Sequence, residues 1–254
     1  MKNEIPNLGK ACQALKAIAE APHGLTMGEV ESIVAASQTT TFRLLNTLCG
    51  EGFLEKRDRN YHIGPALIQL GLAALGRVNL RTVAGPVLRT LAARTGETAH
   101  VAIPAGNASL ILDVCESDSP VRAASRAGAL ADLHCSSTGK VFLAFREGEE
   151  NAEASVAPLQ KRTARTMTDW RALIAELARV RDQGFAIDDG EYYEGVRCLA
   201  APVRNATGQV VGAIGITAAA SSFTPSRDTE VAREVLAAAE QITWALSGKS
   251  IAVA

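Results

Sequence analysis

The chain has 254 residues, 47 % of them hydrophobic and 21 % charged, with a formal net charge of −1; this is the composition of one large or two smaller globular domains. No apolar run reaches the 18 or so residues of a membrane span, the polar start MKNEIPNLGK lacks the apolar stretch of a secretion signal, and five scattered cysteines without a CxxC pair exclude a disulfide framework and a zinc finger. A cytoplasmic protein without metal or cofactor is expected, and any nucleic-acid contact must come from local placement of charge, because residues 1–64 carry seven basic and seven acidic residues.

From Gly9 to Glu20 the apolar residues recur at helical spacing, and Pro22-His23-Gly24 stops the run. Thr26 followed three residues later by Glu29 is a capping box, which predicts a helix over Met27–Ala35. Ser37 is a further N-cap, opening a helix through Leu48. Phe42, Leu45 and Leu48 are expected on its buried face, and Thr39, Thr40, Arg43 and Asn46 on the other. Two short helices joined by a tight turn outline a helix-turn-helix. A β-hairpin with a basic tip at Arg57 and Arg59 follows, before Tyr61-His62-Ile63-Gly64, and makes the motif winged. Pro65 opens the uncharged stretch PALIQLGLAALG, a helix apolar on most sides that must be buried on most sides. Its readiest partner is the same helix of a second subunit.

Beyond residue 80 the pattern predicts a helix over Arg81–Thr95 and strands at Thr98–Ile103 and Ser109–Val114. A helix over His134–Phe145 is entered through HCSSTGK. Residues 151–156 and 168–182 are expected to be helical, the second capped by Thr168 and stopped by Gly184. Strands are expected at Val196–Val203 and Gln209–Thr217, and a last helix at Pro225–Ser247. Helices and strands do not alternate regularly, so the fold class is α+β with an antiparallel sheet.

The helix after Ser37 carries the strongest chemical signal. A recognition helix needs short polar side chains in its first turn and a donor such as arginine one turn on. Ser37, Gln38, Thr39, Thr40 and Arg43 meet that need, and Arg57 and Arg59 would place cations beside flanking phosphates. The block ALKAIAE…LTMGEVESIVAASQTTTFRLLNTLCGEGFLEK…YHIGPALIQLG, the stretch from Arg126-Ala127-Gly128 to His134-Cys135-Ser136-Ser137-Thr138-Gly139-Lys140, and Gly184-Phe185-Ala186-Ile187-Asp188-Asp189-Gly190-Glu191 with Gly195, Cys198, Ala200 and Pro202 together resemble the IclR family of transcriptional regulators, along nearly the whole chain. Thr163, Thr166, Thr168 and Asp169 also fit.

The resemblance implies a winged helix-turn-helix domain over residues 1–64, a linker and dimerisation helix over 65–79, and a GAF-like effector-binding domain over 80–254. It implies homodimers or dimers of dimers on double-stranded operator DNA, and a small organic or aromatic acid as effector. Carried over position by position, the effector pocket comprises Ser137, Thr138, Gly139, Asp188, Cys198, Gly215 and Thr217. Where Ser137 and Thr138 stand, family members often have Gly or Ala, and where Gly215 stands, a serine. A helix start at Ser137 would suit a carboxylate, through its free N–H groups.

Two alternatives belong to other classes. The string Ser137-Thr138-Gly139-Lys140 formally matches S-x-x-K, but the companion S-D-N and K-T-G strings are absent, and no nucleophile with an adjacent base is evident, so no enzyme is expected. Asp188, Asp189 and Glu191 read more simply as a solvated turn or as caps. His134 and Cys135 could join Asp188, Asp189 or Cys198 at a metal, and Cys135 with Cys198 could sense redox state if their sulfurs lay within disulfide reach.

Overall fold

The computed structural model describes residues 5–76, 79–117, 125–146 and 158–247, and the chain divides into two compact units, Met1–Val78 and Asn79–Ala254. The predicted helix over 151–156 lies outside the described residues.

The first unit is built from α1 (Pro6–Glu20), β1 (Leu25–Thr26), α2 (Met27–Val34), α3 (Gln38–Gly50), β2 (Leu54–Arg57), β3 (Asn60–Ile63) and α4 (Pro65–Gly76). The capping box forms: Glu29 N donates to Thr26 Oγ1 at 3.4 Å, and Thr26 N donates to Glu29 Oε2 at 2.7 Å. The Thr26 hydroxyl, which donates to Glu29 Oε2 at 2.7 Å, and then the Thr26 N–H hold the Glu29 carboxyl below its ordinary range. Ala35, left-handed at φ 48°, ends α2, and Ser37 caps α3 by accepting from Thr40 N at 3.4 Å. Ala14 and Ile18 of α1, Val30 and Val34 of α2, Leu45 and Leu48 of α3, and Leu54 and Tyr61 of the hairpin form one apolar core. Each fully buried side chain of that size contributes about 2 kcal/mol. Leu25–Thr26, a short strand missed in the sequence, pairs with β3 and widens the hairpin to three strands in the order β1-β3-β2.

One face assignment is corrected. Thr41, not Phe42, lies with Leu45 and Leu48 on the buried side of α3, and Phe42 is 49 % exposed. The stripe 41-45-48 has the four-and-three spacing of a helix face, and Phe42 stands about 100° around the axis from Thr41. On α4 no described side chain is buried, and Ile68 and Leu70 are exposed.

In the second unit α5 (Asn79–Thr95) leads into β4 (Thr98–Ala105), β5 (Ala108–Cys115), β6 (Leu130–Asp132), α6 (Ser137–Ala144), α7 (Trp170–Gln183), β7 (Ala186–Asp189), β8 (Val196–Arg204), β9 (Val210–Ala219), a single 3₁₀ turn (Pro225–Arg227) and α8 (Asp228–Leu246). The strands form one antiparallel sheet in the order β6-β5-β4-β9-β8-β7. The chain ends of the sheet therefore meet in its middle, at the β4–β9 pair. Side chains of α6 and α7 (Val141, Phe142, Leu173, Leu177, Val180) share a core with Ala102, Ala186, Ala200 and Ala213 on one face of the sheet. Gly212, which points to the other face by strand alternation, abuts Leu80 of α5, and α5 packs on α8. No helix among the described residues is long and apolar enough to cross a membrane.

Two helix starts and two short strands differ from expectation. Helix α6 starts at Ser137 rather than His134, because Ser136 turns its hydroxyl back onto Gly139 N at 3.2 Å. Asp169, not Thr168, caps α7, accepting from Ala172 N at 2.9 Å. The acidic segment around Asp188 is an edge strand, β7, and β6 is a short strand on the opposite edge.

Candidate DNA-recognition face and ligand cavity

Gln38, Thr39 and Arg43 are exposed on α3, with Asn46 one turn further, while Thr40 is half-buried. The Ser37 hydroxyl is committed to the cap, 3.0 Å from Thr40 Oγ1. At the wing, Asp58 adopts φ 54° and Arg59 is exposed beside it. Arg57 is also exposed but is ion-paired with Glu55, which leaves Arg59 the freer cation of the two. Lys56 lies over the Tyr61 ring at 5.6 Å. The face thus combines hydroxyls, an amide, a guanidinium and the half-exposed Phe42 ring, which are the group types that meet base edges and thymine methyls in a major groove.

The second unit holds a cavity of about 390 Å³ on the α6 side of the sheet, within the usual size of small-molecule sites. Ser137, Thr138, Asp188, Cys198 and Thr217 line it. The sheet register explains why residues so far apart converge: Asp188 pairs with Cys198, and Cys198 with Thr217. Directly opposed residues project to the same face, about 4.8 Å apart, so three strands present one polar row. The start of α6 closes the row from above, and Thr138 is tied to β5 through Ser109 Oγ at 2.7 Å.

Gly139 and Gly215 do not line the cavity, and the expectation is corrected for both. A Cβ on Gly139 would lie 2.5 Å from Leu133 Cα, and one on Gly215 2.2 Å from the Leu199 carbonyl oxygen. Both glycines serve close backbone packing. The structure adds residues the sequence did not single out for this purpose: His100, Ser125, Arg126, Tyr192 and Tyr193 also line the cavity. Tyr192 donates to the Leu130 carbonyl at 3.2 Å, carries Arg162 over its ring at 5.0 Å, and meets Tyr193 edge-to-face at 4.7 Å. Alternation along β4 from Thr98 is the signal that could have found His100; the loop residues carry no periodic signal.

Asp188 Oδ1 accepts from Glu191 N at 2.7 Å and Tyr192 N at 3.3 Å. Burial nevertheless raises this carboxyl to about 7, with the Glu191 charge adding to the rise. Asp189 instead pairs with Arg165 at 2.7 Å and Arg197 at 2.6 Å. Glu191 pairs at 2.6 Å with Lys140, which is 1 % exposed and also reaches Glu176 and the Ile187 carbonyl. The Thr163 and Thr166 hydroxyls donate to the Gly190 and Glu191 carbonyls at 2.8 and 2.7 Å and fix the turn. The acidic cluster is therefore a capped, ion-paired corner. Lys140 is bound to carboxylates, which leaves Ser137 without a basic partner from the S-x-x-K string.

Asp132, rather than Asp188, Asp189 or Cys198, is the group that approaches His134 and Cys135 within 4.8 Å. That cluster has protein partners: Arg162 Nε donates to Asp132 at 2.7 Å, and His134 Nε2 lies 2.9 Å from the Gln160 carbonyl. Burial and three nearby carboxylates push the Cys135 thiol up to about 12, and burial and Asp188 push Cys198 up as well. Both thiols are thereby held in the protonated form, which disfavours the thiolate that redox sensing uses. A second hollow, of about 450 Å³, is lined by Phe142, Phe145 and Arg204. There Arg204 covers the Phe145 ring at 4.7 Å, and among the described residues no comparable row of buried polar groups faces it.

Comparison with known proteins places both regions. The family model for the IclR helix-turn-helix domain matches residues 8–58, and that for the C-terminal region of bacterial IclR transcriptional regulators matches residues 72–244. The chain is 35 % identical over 214 residues to the transcriptional repressor AllR of Klebsiella pneumoniae, covering 83 % of this chain and 79 % of that one. The crystal structure of Thermotoga maritima IclR superposes with a TM-score of 0.74 at 29 % identity, covering 96 % of this chain and 100 % of that one. An IclR homologue from Microbacterium hydrocarbonoxydans, complexed with 4-hydroxybenzoate, has the same fold at a TM-score of 0.83 and 23 % identity, covering 96 % and 100 %. With both family models matched in order along the chain, a winged helix-turn-helix in the first unit and a ligand-sized cavity in the second, the protein is a member of the IclR family of DNA-binding transcriptional regulators.

Proposed function

We propose that this regulator binds operator DNA through Gln38, Thr39, Thr40 and Arg43 of α3, with Ser37 holding the helix start and Arg57 and Arg59 meeting phosphates. A small organic or aromatic acid in the cavity between Asp188, Cys198, Thr217, Ser137 and Thr138 sets its DNA affinity. The observation that carries this reading is the polar row on the sheet, closed by the start of α6 and facing a ligand-sized void. Buried polar groups without a purpose are costly, and a row facing a ligand-sized void has one. The first-turn amides of α6 suit a carboxylate, and the 4-hydroxybenzoate held by the Microbacterium homologue is an acid of suitable size.

The protein acts in the cytoplasm as a homodimer or dimer of dimers. Helix α4, uncharged throughout and without a buried side chain among those described, supports a second copy as its cover. The protein has no catalytic role on this reading: Lys140, the lysine of the S-x-x-K string, is ion-paired with Glu191.

The test is fluorescence anisotropy with DNA from upstream of the gene, a scrambled duplex, and acids such as 4-hydroxybenzoate and benzoate. Selective binding that Arg43→Ala loses and an acid shifts supports the reading. Because an effector acts only through unequal affinity for two states, acid affinity must also change when operator is bound. Equal, salt-sensitive binding to both duplexes reduces it to backbone attraction.

A further inference from the structure

One buried hydroxyl of the cavity defines the chemistry of its neighbour. Thr217 Oγ1 receives hydrogen bonds from Ser125 Oγ at 3.0 Å and from Cys198 Sγ at 3.5 Å. A hydroxyl has two lone pairs and one hydrogen, so its acceptor capacity is filled. Its own hydrogen is left for the remaining neighbour, His100 Nδ1, at 3.2 Å. The imidazole is 3 % exposed, and burial holds its basicity down to about 4, so the ring is neutral at physiological pH and carries one proton. With Nδ1 accepting, that proton is on Nε2. Among the described residues none accepts from Nε2, and the ring lines the void.

We propose that His100 is an effector-binding residue whose Nε2–H donates to an oxygen of the ligand, so that the effector presents a carboxylate or carbonyl oxygen at the β4–β9 side of the cavity. This rests on the reading of the cavity as the effector site. His100 pairs in register with Gly215, which pairs with Ala200, and Ala200 with Ala186. That row is small or bare and lies beside the polar row of Asp188, Cys198 and Thr217. The imidazole is therefore the one large polar group of its row, and it is the member of that row that lines the cavity. Thr217 then acts twice: it faces the cavity itself and fixes the tautomer of His100, so a ligand meets a donor already in place.

Two readouts test this on the full chain. Nitrogen-15 NMR of labelled histidines, assigned with His100→Gln, reads the tautomer directly; the expected state is Nε2–H with bare Nδ1, unchanged from pH 6 to 8. Calorimetry with acetate, pyruvate, benzoate and 4-hydroxybenzoate finds a binding acid. For that acid the Nε2 resonance of the wild type moves on titration and His100→Leu weakens binding roughly tenfold or more. His100→Gln, whose amide nitrogen reaches the same place, retains binding within about threefold. An Nδ1–H tautomer, or an acid that binds wild type and His100→Leu alike without moving Nε2, overturns the assignment and leaves the cavity as effector site. If none of the acids binds the wild type, the acid-effector reading falls and the assignment falls with it.

Discussion

Asp188 and His100 are buried titratable groups of opposite kind, and together they make a quantitative prediction about stability. Asp188 is 2 % exposed and raised from 3.8 to about 7; His100 is 3 % exposed and lowered from 6.5 to about 4. A carboxyl that keeps its proton in the folded state contributes stability that is fully present below its unfolded value and is lost as pH rises through the folded one. Three pH units correspond to about 4 kcal/mol. A histidine kept neutral does the reverse: its contribution is present above 6.5 and lost as pH falls towards 4, about 3 kcal/mol in all. In the wild type the two slopes largely cancel between pH 4 and 6.5. Asp188→Asn preserves acceptance from Glu191 and Tyr192 and resembles the protonated acid at every pH. Its stability relative to wild type should therefore rise by about 3 kcal/mol from pH 5 to 8. His100→Gln removes the opposing slope and should gain on wild type as pH falls. The assay is urea unfolding of the full chain followed by tryptophan fluorescence; Trp170 and Trp244, the only two tryptophans, both belong to the second unit. An Asp188→Asn offset that stays constant within about 0.5 kcal/mol from pH 5 to 8 would refute the reasoning, because linkage requires the gap to widen.

Phe42→Ala should cost less than about 1 kcal/mol in stability, since half the ring is already in water, yet reduce discrimination between operators that differ only by thymine or deoxyuracil at one position per half-site; anisotropy titrations with methyl-deleted duplexes read this, and equal discrimination by both proteins contradicts it. Thr41→Val should stabilise the first unit by about 1 kcal/mol, because the buried Thr41 hydroxyl has no hydrogen-bond partner; hydrogen exchange of α3 amides measures it, and faster exchange would mean that the hydroxyl is satisfied. Lys140→Met leaves Glu191 and Glu176 without their shared cation and should destabilise the second unit by about 3 kcal/mol or more near pH 8; burial already raises Glu191 towards its protonated form, so the loss shrinks at pH 5. An equal loss at both pH values speaks against the charge argument.

The local elements were legible in the sequence because their causes are local. The Thr26–Glu29 box, the Ser37 cap, the Gly184 stop and the alternation at β4, β5, β8 and β9 each act within a few residues, and family resemblance added the order of the domains and five of the cavity residues. Short edge strands β6 and β7 escaped, since three or four residues carry too little alternation. Phe42 and Thr41 exchanged places because side-chain polarity does not reveal which stripe of a helix meets its neighbours. The cavity was decided by tertiary structure. Only strand register places Asp188, Cys198 and Thr217 in one row, and only packing shows that Gly139 and Gly215 are needed for close approach. The donor at His100 depends on a hydrogen-bond chain through residues 100, 125, 198 and 217, a convergence that spacing along the chain does not encode because hydrogen bonds are set by distance in space.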